Sequence, residues 1–297
     1  PTLGASTDGA YRFGAGGNQG TMQVGAAAFE NVLTGATSVQ VGALVGGAGS
    51  NAYNNQSVVN GNFNLTLNTR NNYNGDTWAN RASSLNIGNN FALGSGKLIV
   101  NHTSNQGVNI GQGQEGAVSA AGISLLNNVD IVSDFRTAGA NFVLRGNVNI
   151  APNGVAGTKT IENTADMSIL GVISGSDSNL IKAGAANLVL NGSNTYTGMT
   201  TISGTGGLLV GTDVLPNTNG ALGNSNPPLL IGAAGAAGNS ATLGLSGQVN
   251  FGRDIVVSNT TDTTNISIFG NSLYTSKITG GTSIVSGGTN RITQFQA

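Results

Sequence analysis

Short apolar runs recur along the whole chain, and in many of them apolar and polar positions alternate. Thr21-Met22-Gln23-Val24, Ser38-Val39-Gln40-Val41 and Asn64-Leu65-Thr66-Leu67 are of this kind. A period of two puts one set of side chains on a buried face and the other in solvent, which predicts half-buried strands. Further strands are predicted at Lys97–Val100, Asn141–Leu144, Asn187–Leu190, Gly207–Val210 and Asp254–Val257. Between the runs lie clusters of Gly, Asn, Ser and Thr. Gly and Asn tolerate positive φ, so these clusters predict turns. Strands spaced by about ten residues fit a sandwich, a barrel or a β-solenoid. Helix signals are almost absent, since Gly recurs every few residues and each costs a helix about 1 kcal/mol relative to Ala.

An internal repeat chooses among these folds. Residues 64–88 and 187–211 align without a gap, and ten positions are identical. They include Leu65/Leu188, Leu67/Leu190, Asn71/Asn194, Tyr73/Tyr196, Gly75/Gly198, Thr77/Thr200 and Gly88/Gly211. Beyond them Ala92-Leu93-Gly94 matches Ala221-Leu222-Gly223, so the copies run over 64–94 and 187–223. Asn-Leu-x-Leu-Asn reads as one strand with both Leu inward. Asn-x-Tyr-x-Gly-x-Thr reads as a corner leading into the next strand. Such a coil exposes backbone on both edges, and stacking the next coil about 4.8 Å away satisfies it. Asn at equivalent corners is expected to ladder its amides up the stack. With roughly 20 residues per coil, residues 1–297 form one solenoid domain of about 14 coils, a rod near 65–70 Å long.

The stretch from Leu180 to Ile202, with Lys182, Gly184, Leu188, Leu190, Gly192, Asn194, Tyr196, Gly198 and Thr200 at the spaced positions, resembles the autotransporter-associated β-strand repeat. Leu170–Gly175 looks like the coil that often precedes it. The 64–88 copy is a degenerate version, departing at Arg70, Asp76 and Trp78. The resemblance implies an all-β, right-handed parallel β-helix with little or no α-helix, exported and displayed at or beyond the bacterial cell surface. Nothing in residues 260–297 reads as the membrane barrel that ends an autotransporter.

Composition narrows the function. Of 297 residues 48 are Gly and 40 are Asn, and only 8% are charged, with a net charge of −1. There is no basic footprint for nucleic acid or anionic lipid. No apolar run approaches the roughly 20 residues of a membrane helix, so no membrane insertion is expected. Cys is absent, which excludes disulfides, thiolate zinc sites and Cys nucleophiles. A single His, His102, argues against Ser-His-Asp chemistry and His-rich metal sites. Pro1 in place of Met points to a mature or trimmed chain.

Each chemical motif has a blander reading that outweighs it. Gly111-Gln112-Gly113-Gln114-Glu115-Gly116 matches a dinucleotide fingerprint with Asp134 downstream, but no strand–helix alternation surrounds it. Asp130, Val132, Asp134 and Arg136 alternate as if on one strand face, an arrangement a β-helix lyase or glycosidase would use. A solvated polar stripe is the plainer reading. Gly46–Asn51 approaches a calcium-binding nonapeptide, but Asn51 replaces the essential Asp. His102 reads as a turn or surface residue. Trp78, near Tyr73 and Asp76, has the chemistry to stack on a sugar. Gly232–Gly238 reads as a small-residue loop.

No catalytic, cofactor or metal residue is therefore assigned, and no enzyme activity is expected. The leading expectation is a structural or adhesive surface protein. It self-associates into a filament or surface layer through solenoid ends or strand donation, because Ser283–Ser286 and Arg291–Phe295 are strand-like and uncapped. The alternatives are a polysaccharide-degrading β-helix enzyme using Asp134, and an adhesin that binds surface glycans around Trp78 and Tyr73.

Overall fold

The computed structural model describes residues 9–13, 20–25, 30–35, 38–41, 63–80, 83–101, 108–112, 122–139, 141–232, 241–259, 265–270, 277–286 and 291–296. The described residues form strands, with one 3-10 turn at Pro152–Gly154 and no α-helix. Every strand pair whose register is defined is parallel, and the chain is a parallel β-helix. All eight runs named from the sequence lie in or overlap strands.

The chain divides into two compact units, Pro1–Gly146 and Asn147–Ala297. In the first, one face stacks Ala10–Phe13, Ser38–Val41, Thr77–Asn80, Leu98–Asn101 and Val129–Ile131. A second face stacks Gly20–Val24, Phe63–Leu67, Ser83–Ile87, Val108–Gln112 and Phe135–Thr137. A third pairs Ile123–Leu125 with Phe142–Leu144. In the second unit the longest stack runs Thr158–Asn163, Asn179–Ala183, Thr200–Ile202, Leu229–Ile231, Ile255–Asn259 and Thr282–Ser286. Beside it run Met167–Ile169, Leu188–Leu190, Gly207–Val210, Thr242–Leu245, Asn265–Gly270 and Arg291–Gln296. Two short pairs, Val148–Asn149 with Ile173–Ser174 and Asn250–Phe251 with Lys277–Ile278, close the remaining side.

The alternation seen in the sequence is the inside–outside alternation of these strands. Val39, Thr77, Leu98 and Val129 form one inward column, with Val41, Ala79, Val100 and Ile131 beside it. All eight are fully buried. Leu65 stacks on Leu85 and Leu67 on Ile87 in the first unit, and Leu188 on Leu208 and Leu190 on Val210 in the second. The repeat therefore spans one complete coil plus the return of its first strand, because its two Leu-rich strands are ladder neighbours. Burial of each Leu stabilises the stack by roughly 1.5–3 kcal/mol.

Coil length departs from the uniform twenty residues expected. The coil between paired Leu188 and Leu208 has that length, but Ile123 pairs with Phe142 and Gly20 with Phe63, so coils range from nineteen to forty-three residues. Among the described residues the longest stack in each unit holds five and six strands, against the fourteen coils expected for the whole chain. Loops inserted at corners lengthen a coil without disturbing the ladder, since only the strand register is fixed by pairing.

Candidate functional site

The distinctive polar chemistry of the described residues sits at the corners inside the helix, and the two repeat copies build it the same way. In the first unit Asn71 is buried between coils. Its Oδ1 accepts the Leu33 N–H at 3.0 Å, and its Nδ2 donates to the carbonyls of Ala92 at 2.9 Å and Thr69 at 3.2 Å. Tyr73, also fully buried, has its hydroxyl hydrogen-bonded to Thr77 Oγ1 at 2.5 Å. The Tyr73 carbonyl accepts the Ser95 N–H at 3.1 Å, one coil on. Gly94 lies over that carbonyl with φ +58°, where a Cβ would overlap the oxygen.

In the second unit Asn194 accepts the Ile173 N–H and donates to the Ala221 carbonyl, both at 2.7 Å. Tyr196 and Thr200 are joined at 2.6 Å, and Gly223 with φ +77° lies over the Tyr196 carbonyl. The identical residues of the repeat are thus a three-coil latch. Asn bridges the coil before and the coil after, Tyr–Thr closes the corner, and Gly allows the next backbone to approach. The Asn side chains bond backbone groups of neighbouring coils, and so differ from the amide ladder expected from sequence. Parallel strands leave N–H and C=O groups unpaired where they end, and a side-chain amide supplies one donor and one acceptor together. Exposed corners use the same chemistry more simply. Asp166 Oδ1 accepts from Asn187 N, and Asn187 Oδ1 accepts from Gly207 N. Replacing Tyr196 with Phe strands the buried Thr200 hydroxyl; we expect a loss of about 1–2 kcal/mol, read as a lower thermal midpoint with unchanged far-UV dichroism.

Above each latch the following coil places a second buried donor. Asn127 Nδ2 donates to the carbonyls of Gly94 at 3.2 Å and Gly96 at 2.7 Å. At the matching point Arg253 Nη2 donates to the Gly223 carbonyl at 2.6 Å and Nη1 to Ser225 Oγ at 2.9 Å. Arg253 is 2% exposed, and its Nε is buried with no hydrogen-bond partner. Desolvation lowers its pKa, opposed by the nearby Tyr196, and a guanidinium remains charged under such a shift. Lys182 points inward from Asn179–Ala183 and is fully buried. Its Nζ donates to the carbonyls of Ala183 at 2.7 Å and Gly184 at 3.2 Å. Burial pushes its pKa down to about 8 against the pull of Asp166 and Glu162. Burial also raises both tyrosines, Tyr196 to about 12. The sequence reading gave no role to either cation. Lys182 carries two signals, an inward place in an alternating run and a spaced position of the repeat; Arg253, set between Gly252 and Asp254, carries none.

The sequence-derived candidates fare differently. Asp130 and Arg136 do not share a strand. Asp130 lies in Val129–Ile131 and Arg136 in Phe135–Thr137, on different faces, with Asp134 in the turn between them. Val132 and Ser133 donate to the Val100 carbonyl and turn the corner. Inward positions 129, 131, 135 and 137 keep an odd-numbered phase through that corner, so alternation could not reveal it. Asp130 forms a 3.1 Å ion pair with Lys97. Tyr73 and Trp78 also part: Tyr73 is internal, whereas Trp78 is half-buried on the outer face of Thr77–Asn80. No shared aromatic platform exists, because Tyr73 belongs to the latch. Gly46–Asn51, His102, and Gly113–Gly116 of the glycine-rich motif lie outside the described residues, as do 233–238 of the small-residue loop. Gly111 and Gln112 lie in the strand Val108–Gln112.

Among the described residues no three His, Cys, Asp or Glu side chains are grouped to hold a metal ion, and no helix is long and apolar enough to cross a membrane. Residues 180–210 match the family model of the passenger-associated-transport-repeat. These residues run from inside Asn179–Ala183, through the Asn194–Tyr196–Thr200 corner, to the end of Gly207–Val210, one coil and its return strand. No curated protein and no solved structure matches the chain.

Proposed function

We propose that this chain is the exported, non-catalytic passenger type of β-helix, serving as structural and adhesive material at the bacterial surface. The observation that carries the reading is the match to the passenger-associated-transport-repeat over residues 180–210, on a coil whose repeated polar groups are engaged in the scaffold itself. Asn194, Tyr196 and Thr200 are buried and bonded to neighbouring coils or to each other, so they hold coils together and face no substrate. A polysaccharide-cleaving role would want convergent carboxylates; Asp130 lies on a strand and is paired with Lys97, and Asp134 lies in the turn that follows. Protease shaving of intact cells tests the location: the chain is expected to be released or cleaved without lysis, and full protection would overturn surface display.

Self-association is the finer part of the proposal. Among the described residues Thr282–Ser286 and Arg291–Gln296 each pair along one edge only. An open parallel edge is completed by one more coil, from a continuing chain or from a second copy. Negative-stain electron microscopy of native, unboiled material at micromolar concentration is expected to show filaments. Isolated short particles at every concentration would exclude assembly and leave the monomeric passenger.

A further inference from the structure

The outer face of the first stack in the Pro1–Gly146 unit carries a continuous column of side chains. Register places Arg12 beside Gln40, Gln40 beside Trp78, Trp78 beside Ile99 and Ile99 beside Asp130. Neighbouring members stand one strand spacing apart, about 4.8 Å. Trp78 is the chain's only tryptophan and lies at the centre, half-buried, with Gln40 and Asp130 half-buried near it and Arg12 exposed at one end. Ile99, in the outward phase of its strand, is 6% exposed. Its two neighbours in the column are Trp78 and Asp130. Lys97 Nζ is tied to Asp130 at 3.1 Å, and Asp76 Oδ1 accepts the Lys97 N–H at 2.9 Å.

We infer that this column is a binding face for a neutral oligosaccharide. An amphipathic indole supplies a flat apolar surface for the C–H face of a pyranose. Gln40, with both a donor and acceptors, and the Lys97–Asp130 pair suit sugar hydroxyls, which donate and accept alike. Among the described residues of these strands and the positions just before them, the charges balance: Arg12 and Lys97 against Asp76 and Asp130. That balance gives no net field for a sulfated or uronate chain and favours an uncharged one. A regular column at about 4.8 Å spacing accommodates a chain of rings lying along the stack, each ring near one strand. The inference deepens the adhesive part of the proposal above and depends on it only for its biological setting.

Because Trp78 is the sole tryptophan, its emission reads this face alone. The purified full chain is titrated with neutral glucose-, galactose- and mannose-based tetrasaccharides and with tetragalacturonate as the acidic control. The expected result is a saturable emission change with at least one neutral sugar and none with the acidic one. Gln40→Ala by fluorescence and Trp78→Phe by calorimetry are each expected to weaken binding about tenfold or more, with unfolding midpoints near wild type. No emission change with any neutral sugar, binding of the acidic sugar alone, or affinity unaltered in both variants would overturn the inference. The titration uses protein in buffer, so a negative result leaves the cell-shaving outcome untouched.

Discussion

Replacing Asn194 with Leu is expected to destabilise the protein by about 3–4 kcal/mol, a large share of the roughly 5–15 kcal/mol that holds a domain folded. Leu keeps the branched shape and heavy-atom count of Asn, so no cavity is left, and its bulkier methyls add some overpacking to the loss. Most of the loss comes from polarity. The Ile173 N–H, which donates at 2.7 Å, and the Ala221 carbonyl, which accepts at 2.7 Å, both become buried without partners. Each orphaned buried group costs about 1–3 kcal/mol, since in the unfolded chain water satisfies it. Asn226, exposed and outside the latch, provides the control: Asn226→Ala should stay within about 0.5 kcal/mol of wild type. Urea unfolding of both variants checks this. Equal midpoints for the two would show that the corner amide contributes nothing to coil cohesion. Asn71→Leu is expected to repeat the effect in the other unit, where the Leu33 N–H and the Thr69 and Ala92 carbonyls are left unpaired.

Stability is also expected to rise between about pH 8 and pH 10.5, the opposite of ordinary alkaline behaviour, and the cause is Lys182. Its folded pKa is about 8 and its unfolded value 10.5. Between those limits the unfolded chain carries a proton at this site that the folded chain has lost. Unfolding then takes up protons, and the free energy of unfolding increases with pH. Below pH 8 the buried ammonium is kept charged at a cost on the order of 3 kcal/mol, relieved once it is neutral. Tyr196 sets the upper bound with the reverse sign. Its pKa is raised from 10.0 to about 12, so its contribution is complete below pH 10 and is lost from there to pH 12. Tyr73 is raised by burial as well and acts in the same direction. The thermal midpoint should therefore climb from pH 7.5 to about pH 10 and fall beyond. Lys182→Met should remove the climb and keep the fall. A wild-type midpoint that declines steadily from pH 7.5, with Lys182→Met running parallel, would contradict the assignment.

The amino-acid sequence by itself determined the strand positions, the parallel-coil architecture and the corner. Alternation sufficed for strands such as Ser38–Val41 and Phe63–Leu67, because one-sided burial imposes period two wherever a sheet covers a core. Repetition sufficed for the corner, because a stack reuses one solution to one local problem, the unpaired backbone where a strand ends. Asn71/Asn194, Tyr73/Tyr196 and Gly94/Gly223 stand out for that reason. What only the tertiary structure decided is which side chains face which space. Tyr73 and Trp78 are five residues apart, yet one closes an internal corner and the other lies outside, because the chain bends between them. Asp130 and Arg136 were split by a corner that preserved the alternating phase. The buried homes of Lys182 and Arg253 depend on carbonyls at Gly184 and Gly223 that the chain's own turns deliver. Those partners are set by coil register, and coil length varies with loops whose size leaves no trace in local pattern, so pairing across the stack had to be seen in three dimensions.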